Sequence, residues 1–236
     1  MANLAVQLRC MTHLSFFVID LLGQTESTNT SSNARLLLRL MTPILKATVS
    51  KTAVAFLSEC MECLGGQGYV EEGGIAVLYR DTQVNAIWEG TTNVLAHDML
   101  RVLRGKEGGA VLAALDGYIT SAVAQGAKCP GLRDIPRRYE DIYKKWRVRM
   151  TETEEGVVVA HARELALWLG RIIAAMELMV DAASDGDQVE IECCWRVFDV
   201  KNQGWDRDAK TTAQWDRRIV YGDETSGSAA NVRARL

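Results

Sequence analysis

The chain has 236 residues, 48% of them hydrophobic, so it is long enough to bury a sizeable core in one large or two small domains. Its 27 basic and 30 acidic residues leave a net charge of −3, which excludes a global field able to hold nucleic acid or an anionic membrane. Six scattered cysteines form no dense framework of the small secreted kind, which suits a reducing, intracellular compartment, cytoplasmic or mitochondrial.

Only three prolines occur, and long stretches rich in Ala, Leu, Val, Met and Arg predict a mainly α-helical chain. The first residues carry one Arg and no cleavage pattern, so no secretory leader is expected. A first apolar stretch runs from Leu4 to Leu22 and is expected to end at Gly23. Its most apolar part, Leu14 to Leu22, is too short to cross a bilayer and contains Asp20, so no membrane partner is expected. Gln24 to Asn33, a run of Thr, Ser and Asn, reads as a loop.

Leu37, Met41, Leu45, Val49, Ala53, Leu57, Cys60 and Leu64 then recur at helical steps and predict one long buried stripe. Pro43 disturbs its start: either Thr42 caps a helix beginning there, or a longer helix is kinked at the proline. Gly65-Gly66 ends the helix. Residues 65–90 hold six of the 19 glycines, yet also Tyr69, Leu78, Tyr79, Ile87 and Trp88, too many large side chains for a plain linker. Thr91 or Thr92 caps a helix with Leu95, Met99, Val102 and Leu103 on one face, ending near Gly105.

A small-residue helix from about Ala110 to Gln125 precedes a break between Pro130 and Pro136. Beyond it come a basic helix, about Arg137 to Met150, and a long apolar one, about Glu154 to Ala183, interrupted at Gly156 and Gly170. Gln188 to Phe198 form a short segment. From Asp199 the chain is polar, with isolated Trp205 and Trp215, and from Gly222 it reads as disordered. The division expected is a bundle over 1–128, a helical extension over 129–198 and a polar, partly disordered tail over 199–236. The Ala234-Arg235-Leu236 terminus does not match the peroxisomal tripeptide.

Three blocks carry the information about function. They are Glu59-Cys60-Met61-Glu62-Cys63-Leu64-Gly65-Gly66-Gln67-Gly68-Tyr69, then Leu78-Tyr79-Arg80-Asp81, then Ile87-Trp88-Glu89-Gly90-Thr91-Thr92-Asn93. In order and spacing they resemble the carboxyl-terminal helical portion of the acyl-CoA dehydrogenases, most sharply over residues 59 to 104. Glu62 stands where ordinary members carry Gln and is similar to the AidB-like branch. The resemblance implies an all-α bundle, a flavin-dependent α,β-dehydrogenation of acyl-CoA, and FAD as cofactor. It also implies a short form without the family's amino-terminal helical and middle β-domains.

By motif position Glu89 is the implied catalytic base. A carboxylate beside an apolar acyl slot is partly desolvated and so becomes a better base. Trp88 supplies the apolar wall and Gly90 a close backbone approach. Thr91 and Asn93 match positions that touch the flavin, beside the free amides of a helix N-terminus. Gly65 and Gly66 match the place where the adenine half of a neighbouring subunit's FAD lies, with Glu62 beside them, which implies a homo-oligomer or a partner flavoprotein subunit.

Other readings stand beside these. Glu89 is equally placed to be a solvated acid favoured by a helix dipole. Cys60-x-x-Cys63 has the form of a zinc or thiol pair but no second pair at ligand spacing, and His13, His97 and His161 are scattered, so no metal site is expected. Arg133, Arg137, Arg138, Lys144, Lys145, Arg147 and Arg149 form a basic segment able to contact DNA, but Asp134, Glu140 and Asp141 lie among them and favour a solvated face. The alternative function is a non-catalytic helical module for oligomerisation or nucleic-acid binding.

Overall fold

A computed structural model describes residues 1–27, 32–198 and 208–222, and among them every regular element is helical. Cys10, Leu14, Val18 and Leu21 share one stripe of α1 (Ala2–Glu26), and that stripe is buried. Gly23 does not end this helix, which runs on to Glu26. At 25 residues α1 is therefore long and apolar enough to span a bilayer, as is α2 (Ser32–Cys63), but both turn their stripes into the bundle. The loop expected over Gln24 to Asn33 is correspondingly shorter, and residues 28–31 of it lie outside the described ones.

Pro43 sits inside α2, which continues through it. Proline removes one helical hydrogen bond, and here it is offset by burial of the ring in the core. The stripe expected to be buried through Leu64 is fully covered only as far as Met41; Leu45, Val49, Ala53, Leu57 and Cys60 are half-buried and Leu64 is exposed. The second half of α2 projects beyond the core because only the short elements after it pack there. These are α3 (Gly66–Tyr69), a 3₁₀ turn at Glu71–Gly73 and α4 (Ile75–Asn85).

The core continues through α5 (Thr92–Arg104), α6 (Gly108–Gly126) and α7 (Ile135–Glu152), the last with Pro136 in its first turn. The long apolar helix expected from Glu154 to Ala183 is two, α8 (Glu155–Ala160) and α9 (Ala162–Asp185), with the break at His161 and neither Gly156 nor Gly170 interrupting. At Gly170 a Cβ would lie 2.0 Å from Thr48 Oγ1, so the glycine lets α2 approach α9 closely. Helix α9 is packed against α1, α2, α5, α6, α7 and α10 (Gln188–Arg196) and is the centre of the molecule.

Two large buried side chains on this second half have their polar atoms paired. The Trp146 indole N–H donates to the Leu165 carbonyl at 2.9 Å, and the Tyr139 hydroxyl donates to the Cys194 carbonyl at 2.6 Å. The polar stretch expected to be a loose tail contains a helix, α11 (Ala209–Tyr221). Asp208 caps it by accepting from the Thr211 N–H at 2.9 Å, and Ile219, 1% exposed, seats it on α1 and α10. Trp205 and the stretch after Gly222 lie outside the described residues.

Candidate functional site

The residues singled out by motif lie on two turns. The first follows α2, where Gly65 takes φ 59 and is open, with nothing within 4 Å of a Cβ built on it or on Gly66. A left-handed φ admits glycine without strain. Gly68 is required for a different reason: a Cβ there would lie 2.3 Å from the Met61 carbonyl oxygen. The backbone of this turn is thus bare to solvent on one side and folded tightly against α2 on the other. Glu62 is exposed at its base.

The second turn links α4 to α5. Ile87 and Trp88 are exposed, Glu89 takes φ 54 and Gly90 φ 108, and Thr91 is the extended N-cap residue of α5. A glutamate in left-handed backbone is uncommon and disfavoured by about 1–2 kcal/mol. The conformation is held from outside. The Lys46 ammonium on α2 donates to the Trp88 carbonyl and, at 2.9 Å, to the Gly90 carbonyl, so it grips the turn on both sides of Glu89. Motif reading missed Lys46, since a single Lys in an amphipathic helix has no distinguishing pattern; the contact spans 42 residues.

The Thr91 hydroxyl makes no capping bond, so it stays exposed beside the free amides at the start of α5, while Thr92 is buried beneath. Asn93 is fixed from α9: its Oδ1 accepts from Arg163 at 2.9 Å, leaving the amide hydrogens of its side chain as donors. Arg39 ties the same helix to α2 through paired bonds to Asp98 at 2.7 and 2.9 Å, and holds its carboxyl below the ordinary range.

Glu62, Gly65, Gly66, Glu89, Thr91 and Asn93 are therefore all exposed. Around them the surface is apolar: of 17 exposed large hydrophobic residues among those described, eight fall between Leu64 and Val94, with Tyr69 78% exposed and Trp88 56%. An open glycine backbone, an acidic side chain on a clamped turn and a helix N-terminus next to large apolar side chains suit a flat, anionic, partly apolar ligand.

The basic face of α7 is mixed. Lys144 pairs with Glu140 at 2.7 Å, Arg147 with Asp116 at 3.3 Å, and Arg149 lies over the Trp168 ring at 5.7 Å. Cys60 and Cys63 are free thiols, the first half-buried and the second exposed.

Comparison with known proteins gives consistent matches. Residues 1–103 match the family model of the acyl-CoA dehydrogenase C-terminal domain. Acyl-CoA dehydrogenase family member 11 of Caenorhabditis elegans is 33% identical over 242 residues, covering 96% of this chain and 38% of that protein. The putative acyl-CoA dehydrogenase AidB of Escherichia coli (strain K12) is 38% identical over 108 residues, 46% of this chain and 19% of that one. The crystal structure of Caenorhabditis elegans ACDH-11 in complex with C11-CoA superposes with a TM-score of 0.77 at 32% identity, covering 94% of this chain and 39% of that one. The chain thus spans about two fifths of the length of the nematode relative.

Proposed function

Because this chain belongs to the acyl-CoA dehydrogenase family, as its carboxyl-terminal helical portion, we propose that it forms one wall of a flavin-dependent site that dehydrogenates an acyl-CoA thioester. The observation that carries the reading is Glu89, exposed and left-handed on a turn gripped by Lys46 beside the free N-terminus of α5. A strained acidic residue with dedicated support fits a base that must be presented in one direction.

The residues present fit the edge of FAD. The bare Gly65-Gly66 backbone leaves room for its adenine half, held mainly by a neighbouring subunit, and Glu62 is an acceptor suited to a ribose hydroxyl. Thr91 and Asn93 supply donors for the flavin ring. Bound FAD would supply the acceptor for the β-hydrogen of the acyl group, which leaves with its electron pair. A Glu89 carboxylate oxygen takes the α-proton, and the electron pair left by that C–H bond becomes the α,β double bond of the product. Trp88 borders the acyl group and keeps water from the carboxylate, and Gly90 lets the chain pass close to the thioester. Glu62, where ordinary members carry Gln, supports an affinity to the AidB-like branch.

The exposed apolar surface between Leu64 and Val94 supports an oligomer, or a partner flavoprotein, as the form in which the site closes. In flavin-loaded protein, Glu89→Gln is expected to lower the rate of flavin reduction by acyl-CoA by about 10²–10⁴ with flavin content unchanged. An unchanged reduction rate would remove Glu89 from its role.

A further inference from the structure

We propose that a cavity between α1, α2, α9 and α10 binds an anionic amphiphile: an apolar body with one carboxylate or phosphate head. Its volume is about 680 Å³, within the range of small-molecule sites. None of Glu62, Gly65, Gly66, Glu89, Thr91 or Asn93 lines it, so it stands apart from the flavin-side turns and does not depend on the dehydrogenase reading.

Its chemistry divides cleanly. Val6, Met11, Leu167, Trp168 and Phe198 make the apolar wall, and Lys51, Arg171 and Arg196 supply positive charge, with no Asp or Glu among the lining residues. Arg196 is already neutralised by Glu192 and Asp216, at 2.8 and 2.5 Å. Lys51 and Arg171 have no hydrogen-bond or ion-pair partner among the described residues, and they flank one helix contact. Gly170, which precedes Arg171, packs against Thr48, and Lys51 lies three residues beyond Thr48 on α2. Two uncompensated cations at the edge of an apolar hollow attract an anion whose body the hollow desolvates.

Thr48 sits at the floor of the hollow. It lines the cavity, is 1% exposed, and its hydroxyl has no hydrogen-bond partner. Its oxygen lies against Gly170, where a Cβ would come within 2.0 Å, so it marks the close approach of α2 and α9 that forms the cavity floor and makes no contact with the ligand.

The test is calorimetric titration of the whole chain, below micelle concentrations, with dodecanoate, dodecyl phosphate, dodecanol, dodecyltrimethylammonium and inorganic phosphate. Saturable binding of dodecanoate or dodecyl phosphate is expected, with the neutral and cationic amphiphiles and inorganic phosphate each weaker by about ten-fold or more. Lys51→Glu with Arg171→Glu is expected to weaken the anions by the same factor, and Ala55→Trp, at an exposed lining position, to block them. All three positions leave the buried core untouched, and unchanged melting curves check this. No saturable uptake of either anion, affinity unchanged in the charge-reversed variant, or inorganic phosphate binding as tightly as dodecyl phosphate would overturn the proposal.

Discussion

At Glu89 the backbone conformation and the proposed chemistry pull in opposite directions. Its φ of 54 is relieved by glycine, which has no Cβ to clash. Glu89→Gly is therefore expected to raise unfolding stability by about 1 kcal/mol while abolishing flavin reduction; a loss of stability in urea unfolding would contradict the strain. Asp98 gives a pH-dependent counterpart. The Arg39 hydrogen bonds, helped by Arg101 and opposed by burial, hold its carboxyl below the ordinary value of 3.8. A depressed folded value means that the stabilisation is present above the unfolded value and is lost as pH falls through the folded one. Asp98→Asn is thus expected to lower stability by about 1 kcal/mol at pH 7, with the difference from the parent chain vanishing in acid below the folded value. The turns that carry Gly65, Glu89 and Thr91 were legible in the sequence because their glycines and cap residues are local signals. Lys46 and Arg39 were not, because each acts on a turn or helix dozens of residues away.

Among the elements, α9 shows why glycine is ambiguous in a sequence. Gly170 reads as an interruption, yet it sits inside an unbroken helix where Thr48 of α2 leaves no space for a methyl group. Gly170→Ala is expected to destabilise by about 1–3 kcal/mol, as overpacking does. Thr48→Ala in the same chain should recover part of that loss, a coupling that a double-mutant cycle of unfolding free energies measures; simple additivity would place the defect elsewhere. Helices α2 and α5 were visible from periodicity, since their apolar residues face a common core. Helix α4 was hidden among glycines because Gly74, in the left-handed region at φ 77, starts it from an unmarked position and Arg80 braces it to Glu71 at 2.8 Å. Helix α11 was missed because its seat on the core rests chiefly on Ile219 in an otherwise polar stretch.

Across the whole molecule, one end is finished and the other is open. The core around α9 buries its large side chains, whereas the end of α2, α3, α4 and the Glu89 turn keep theirs in solvent. A chain that spans about two fifths of its nematode relative and carries the family's C-terminal domain has this asymmetry where the proposed flavin edge lies. The most direct measurement is the absorbance spectrum of the purified chain after incubation with excess FAD and removal of free ligand, before and after addition of an acyl-CoA. The expected result is a retained flavin spectrum that bleaches with acyl-CoA in the parent chain and stays oxidised in Glu89→Gln. Equal bleaching in the variant would contradict the assignment of this turn to acyl-CoA dehydrogenation, and no retained flavin would contradict a site completed by copies of this chain alone.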